Sequence, residues 1–406
     1  MMGSTRRQFI HRTAGASAVM ALGSHVPDCW LQAAEQSAVG DERVLVVVQL
    51  SGGNDGLNTV VPHSDDAYRK ARPTLALSKD DVLTIDRDQG FHPEMRGFAK
   101  LLEAGKLAVV QGVGYANPNR SHFESMDIWH TCHRQLQKQS LGWLGRLLDA
   151  SKQETSDVVG MHLGREKQPL ALAARHVRVP SVKSLEEFKL QAGGSEALRS
   201  TIKALSQPRG TQGDLLGFVQ SSTASALTAS ERVEAAGKSY QTKTSYPDSE
   251  LARKLRVVAQ LIDAGLKTRI YYVELGGFDT HAQQQNAHAV LLRQWSDAVT
   301  AFVDDVSAQG HGQRVLVMSF SEFGRRVSEN ASQGTDHGAA APMFLAGAPV
   351  RPGLIGKQPS LTDLHDGDLK HAIDFRQVYA TVIDRWLQGS SEALLGKRYT
   401  HVELLA

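Results

Sequence analysis

Short apolar runs recur along the chain without the alternation of a half-exposed strand. They span 44–50, 107–113, 270–275 and 315–320, with a weaker one at 343–346. Runs this short and continuous predict strands buried on both faces, as in a parallel sheet between helical layers. Helical spacing fills the intervals. The segment 93–104 stops at Gly105, and 282–308 is a long amphipathic stretch ending at Gly310. Segment 374–387 places Phe375, Val378, Tyr379, Val382, Ile383 and Trp386 on one face. Strands alternating with helices predict an α/β fold: a doubly wound, mostly parallel sheet with helices on both faces. The stretch 180–248, rich in Ser, Ala, Gln, Gly and Lys, has helical rather than strand spacing and predicts an inserted helical layer capping the sheet edge.

The first residues follow a different pattern. Thr5-Arg6-Arg7-Gln8-Phe9-Ile10 precedes a weakly apolar stretch over 13–23, the form of a twin-arginine export signal. That stretch is too short and too rich in Ala, Gly and Ser to span a bilayer stably. Residues 1–38 are therefore read as signal and short linker, with cleavage near Ala33 or Ala34, and 39–406 as a single α/β domain. No transmembrane helix is expected after signal removal. The implied location is the periplasm or cell surface.

Net charge is +2 over 406 residues, and the leader's Arg6, Arg7 and Arg12 stand against only Asp28. The rest of the chain is close to neutral, with no basic run interleaved with aromatics, which argues against a nucleic-acid partner. Once the leader with Cys29 is removed, Cys132 is alone. It forms no internal disulfide and lacks a catalytic pattern.

In open α/β sheets ligands bind beyond the carboxyl ends of the strands. The first predicted strand runs into Ser51-Gly52-Gly53-Asn54-Asp55-Gly56, and the second into a loop ending Asn119-Arg120-Ser121-His122. The third leads into Gly276-Gly277-Phe278-Asp279-Thr280-His281, the fourth into Ser321-Glu322-Phe323-Gly324-Arg325-Arg326. A further cluster is Gly334-Thr335-Asp336-His337-Gly338. Each alone is ordinary turn chemistry; several at one edge are more. Asp55, Asp279, Glu322, His281 and His337 offer oxygen and nitrogen ligands for zinc, manganese, magnesium or calcium, and exclude a thiolate site. His288, on the helix after the third strand, is an extra ligand or a surface or supporting histidine.

Ser121 has two readings of comparable weight. Ser121-His122-Phe123-Glu124 has the form of a helix capping box. A hydroxyl at a helix N-terminus beyond a strand also suits a metal-activated nucleophile. Arg120 beside it is placed to clamp an anion. Arg325 and Arg326 either pair structurally with carboxylates or hold a substrate anion. The glycine-rich turn after Leu50 is not G-x-G-x-x-G, which leaves a dinucleotide oxidoreductase little support.

These motifs resemble an exported bacterial family filed as domain of unknown function 1501. The likeness runs from the leader through Leu50-Ser51-Gly52-Gly53-Asn54-Asp55-Gly56 to the closing Asp374-Phe375-Arg376-Gln377-Val378-Tyr379. The family in turn resembles a remote branch of the alkaline phosphatase and sulfatase superfamily. That likeness implies an alkaline-phosphatase-like fold and metal-dependent hydrolysis of phosphate or sulfate esters. Asp55 would stand for its first-strand ligand, Ser121 for its nucleophile, Asp279 with His281 for its Asp and His pair, and His337 for its last histidine. Two departures stand out: Glu322-Phe323-Gly324 replaces Asp-His-Gly, and Asp279 lies closer to His281 than the usual spacing. One ion, a rearranged pair recruiting Asp336 or His288, and a decayed site stay open. The expected activity is thus an exported ester hydrolase acting on an anionic ester. The alternative is a non-catalytic binding or assembly component of a surface glycan or polymer system.

Overall fold

The computed structural model describes residues 43–134, 140–151, 158–164, 166–182 and 240–406, with positions 200 and 204. The leader and most of the expected 180–248 layer lie outside the described residues. Arg43–Ala406 forms one compact unit.

The chain forms β1 (Val44–Leu50), β2 (Leu107–Gly114), β3 (Gly160–Leu163), β4 (Ser181–Val182), β5 (Ile270–Leu275) and β6 (Val315–Ser321). Of these, β1, β2, β5 and β6 are the predicted strands, whereas β3 and β4 were not expected, and β4 opens the stretch read as helical. A ribbon of β7 (Arg325–Glu329) and β8 (Thr335–His337) follows. Then come β9 (Ala341–Ala346), β10 (Gly353–Ile355) and β11 (Ile373–Asp374). The main sheet has nine strands in the order β10-β2-β9-β6-β1-β5-β3-β4, with β11 also on β2. From β6 to β4 every pairing is parallel. The strand expected at 343–346 belongs to β9, which runs antiparallel to both its neighbours.

Alternate residues of β1 explain the unbroken apolar run. Val44, Val46, Val48 and Leu50 enter one core with Phe98, Leu255 and Trp295, whereas Leu45 and Val47 enter the other with Trp129, Trp143 and Tyr379. The first core is covered by α1 (Arg96–Glu103), α4 (Glu250–Asp263) and α5 (Gln284–Ala308). The second is covered by α2 (His122–Thr131), α3 (Trp143–Ala150) and α6 (Phe375–Thr381). Helices therefore lie on both faces, as a doubly wound sheet requires. Cys132 ends α2 in a left-handed conformation, buried, with burial pushing its thiol up to about 12. It is a packing residue.

One consequence of the topology positions the site. Leu50 pairs with Leu275 on one side and with Ser321 on the other, so β1, β5 and β6 end level at one rim.

Candidate metal centre

Asp279 sits just past the end of β5, and three imidazoles from three different segments converge on its carboxylate. His337, the last residue of β8, places Nε2 3.0 Å from Asp279 Oδ1. His281, two residues beyond Asp279, places Nε2 3.0 Å from the same oxygen. His122, the first residue of α2, places Nε2 3.4 Å from Asp279 Oδ2. The Nε2 atoms of His281 and His337 lie 2.9 Å apart. One ligand atom each from His122, Asp279 and His337 fall within 4.8 Å of one another.

The second nitrogen of each ring decides what this convergence means. His337 Nδ1 lies 2.8 Å from the Arg120 carbonyl, which accepts only, so Nδ1 carries the proton. His122 Nδ1 lies 2.8 Å from Glu322 Oε1 and donates to it. His281 Nδ1 faces Asp336 Oδ1 at 3.4 Å. In their neutral forms His122 and His337 therefore aim Nε2 lone pairs at a carboxylate that offers only acceptors. Nε2 of His122 is buried and has no hydrogen-bond partner. A buried acceptor facing acceptors is costly unless a cation stands between them. An oxygen acceptor on Nδ1 with Nε2 directed inward is the arrangement that orients metal-binding imidazoles.

Residues 42–395 match the sequence family described as "Protein of unknown function (DUF1501)". The chain belongs to this family. No curated protein matches it. Three solved structures similar to this family member show low identity throughout. The lipoteichoic acid synthase LtaP from Listeria monocytogenes is 8% identical, with 77% of this chain and 68% of that chain covered and a TM-score of 0.34. The PsFucS1 sulfatase from Pseudoalteromonas sp. is 9% identical, over 89% and 69%, at 0.39. The C-terminal periplasmic domain of EcEptC from Escherichia coli is 10% identical, over 76% and 74%, at 0.36. The α/β assignment of this DUF1501 chain rests on its own strand order and covered faces.

Of the expected ligands, the structure brings Asp279, His281 and His337 together and sets the others apart. Glu322 is buried and turned back from the cluster. It holds His122 through Oε1, which also accepts from the Gly52 backbone at 2.8 Å. That hydrogen bond raises the pKa of His122 above the usual imidazole range, with burial opposing it. Asp336 lies behind His281 and is bound by Asn330 at 3.0 Å. Glu322 and Asp336 thus contact His122 and His281 from behind, outside the group that converges on Asp279.

Asp55 is elsewhere. It is 1% exposed, and its Oδ2 is paired with Arg72 Nη1 at 2.6 Å and accepts from Gln284. Burial alone would push its carboxyl up, and the Arg72 guanidinium holds it below the ordinary value. Its Oδ1 makes no hydrogen bond, yet among the described residues no group of three ligand side chains includes it. His288 is buried rather than on the surface, 2.9 Å from Asn54 Oδ1, and burial lowers it to about 3. It too stands outside the cluster.

The arginines are organisers. Arg325 is fully buried and directly opposite His337 on the β7–β8 ribbon. It donates to the carbonyls of Gly53, Thr335 and Phe278 at 2.7, 2.7 and 2.9 Å, to that of Gly52, and to Asp279 Oδ1 at 2.8 Å. Its burial and these contacts hold it among backbone carbonyls rather than in the open cleft. Burial would raise the Asp279 carboxyl, but the neighbouring His337 ring and the Arg325 guanidinium hold it down at about 2. Arg120 is bound to Asp368 through Nε at 2.9 Å and through Nη2, and Arg326 Nε lies 3.8 Å from the same residue. Ser121 is the N-cap of α2, but its side chain makes no capping hydrogen bond. Glu124 accepts from Asn119 instead. The capping-box reading is corrected, and the exposed hydroxyl stands one residue from His122.

His122 is the residue the sequence reading missed as a ligand. The apolar ring noted at Phe323 packs against both His122 and His337, with centroids 4.9 and 4.7 Å away. An imidazole at the start of α2, His122, thus stands against the Phe323 ring. Two glycines allow this close packing. Gly52 and Gly53 have φ of +119° and +78°, and a Cβ on either would collide with the Asp279 backbone or the Phe323 ring.

A cleft of about 1080 Å³ opens beside the cluster, lined by His122, Asp279 and Glu322 among others. Phe123, Met126, Asp127 and His130 form one face of α2 along its wall. Phe123 is 85% exposed there. No helix among the described residues is long and apolar enough to cross a membrane.

Proposed function

We propose that this chain is an exported, metal-dependent hydrolase of phosphate or sulfate esters, its ion held by His122, Asp279, His281 and His337. The carrying observation is the pair of fixed imidazoles, His122 and His337, whose Nε2 lone pairs face the Asp279 carboxylate. Three nitrogen donors and one carboxylate suit zinc or manganese better than the all-oxygen preference of calcium or magnesium. Bound there, such an ion supplies Lewis-acid polarisation of an ester oxygen. Glu322 and the Arg120 carbonyl fix the ring tautomers, and Arg325 keeps Asp279 ionised and pointed at the histidines. Ser121, uncapped beside His122, is the side chain placed to attack the ester or orient a water. His122, Asp279, His281 and His337 would hold the ion that neutralises the substrate's anionic group, while Arg325 is buried and Arg120 is paired with Asp368. The leader carries the reading to the periplasm or cell surface.

Elemental analysis of natively exported protein, with assays on aryl phosphate and aryl sulfate, tests the reading. Bound zinc or manganese with turnover of one ester supports it. Metal bound without turnover points instead to a non-catalytic binding component. Absence of both overturns it.

A further inference from the structure

The cleft beside the cluster holds a carboxyl group that the proposed ion site does not use. Glu274, on β5, pairs in register with Gln49 of β1 at the carboxyl ends of both strands, and both line the cleft with His122 and Asp279. It is half-buried. Its side chain is hydrogen-bonded to Ser51, whose Oγ also accepts from Gln49 Nε2 at 2.6 Å. From Ser51 the chain passes to Gly52, whose N–H binds Glu322, which holds His122. Glu274 therefore lines the cleft in a held position, joined to a proposed ligand through Ser51, Gly52 and Glu322.

Its surroundings are short of positive charge. The groups facing it are Glu166, Lys254 and Glu322. Lys254 Nζ lies 3.4 Å from Glu166 and 3.2 Å from Glu250, and it meets Glu274 only at the backbone carbonyl, at 3.2 Å. Among the described residues Glu274 has no ion-pair partner. Burial pushes its carboxyl above the ordinary range and the charges of Glu166 and Glu322 add to that, with the Ser51 bond and Lys254 opposing. A carboxyl with raised proton affinity, lining the same cleft as the proposed centre, is the arrangement of a general acid.

We propose that Glu274 is the proton donor to the leaving group, an assignment that rests on the hydrolase reading. As the Ser121 hydroxyl or a water forms its bond to phosphorus or sulfur, the bond to the leaving oxygen breaks and that oxygen takes the Glu274 proton. The attacking group's proton passes to solvent and solvent returns one to the carboxylate, so no reactant beyond water is needed. Ester substrates with poorly acidic alcohols, such as sugar or alkyl alcohols, depend on this donor; nitrophenyl esters do not.

The test compares wild type and Glu274→Gln, both full-length and metal-loaded, on a 4-nitrophenyl ester and the matching ethyl ester. Phosphate or sulfate is chosen by what the wild type turns over. The expected loss is roughly 10²- to 10⁴-fold in kcat/KM on the ethyl ester, with little change on the nitrophenyl ester. The fall in ethyl-ester activity at high pH should disappear in the variant, and Glu274→Asp should restore part of the rate. Equal losses on both esters, no loss on either, or loss of bound metal in Glu274→Gln each overturn the assignment while the hydrolase reading stands. A metal-loaded wild type inert on both esters overturns the two together.

Discussion

Two polar clusters lie near the same rim of the sheet, and they handle charge in opposite ways. Around Asp55, the buried carboxylate has a built-in cation: Arg72 pairs with it while donating to the Val327 and Arg326 carbonyls at 2.9 Å each. His288 beside it is held neutral by burial. Around Asp279, Arg325 donates to the carboxylate from one side and the His122, His281 and His337 imidazoles converge on it. The residue types are nearly the same in both clusters. What separates them is whether a protein cation already occupies the position that an ion would take.

Changes at the cluster should have the largest effect. His337→Ala should abolish stoichiometric metal binding and, with it, ester turnover, because His337 supplies a fixed ligand nitrogen. Elemental analysis and a single-turnover assay read this out; a variant that keeps both would merge the two clusters into one structural class. Arg72→Ala should do the reverse. It leaves Asp55 buried and unpaired, which costs about 3–5 kcal/mol of stability, while the folded fraction keeps its metal. Chemical denaturation measures the first effect and metal content the second.

A smaller effect is expected from Glu322→Gln, which weakens the hold on His122 without removing a ligand. Metal affinity should fall about 10- to 100-fold, as competition with a chelator would show; an unchanged affinity would remove Glu322 from the site. A further effect concerns acid. Burial lowers His92, His130, His162 and His288 to about 4, 3, 4 and 3. The unfolded chain takes up these protons near pH 6.5 and the folded chain does not, so stability falls as pH drops below about 6.5. Each group contributes about 1.4 kcal/mol per pH unit until its folded value is reached. His288→Gln should flatten that slope by one proton's share between about pH 6.5 and 3, seen in denaturation midpoints across pH; an unaltered slope would show that His288 is not held neutral.

The sheet was legible because its strands are buried on both faces, leaving runs such as 44–50 that no helix or exposed strand produces. The reversed direction of β9 was not, since apolar content carries no sign of direction. Asp279 and His281 came from the strand-end rule and His337 from the separate cluster 334–338; the structure brings these three together. Asp55 obeyed the same rule and lies apart from them, because its partner Arg72 comes from a segment with no motif of its own. His122 was hidden differently. Its neighbour Ser121 drew the attention, and its packing on Phe323 shows only in space. Glu322 and Asp336 were singled out as ligands, and they contact His122 and His281 from behind.

The most direct test sets these two clusters side by side: metal content of purified His122→Ala and Asp55→Asn, measured with the wild type in one preparation. The account predicts that His122→Ala loses the ion and Asp55→Asn retains it. Retention by His122→Ala with loss from Asp55→Asn would contradict it, and would move the metal centre to the end of β1.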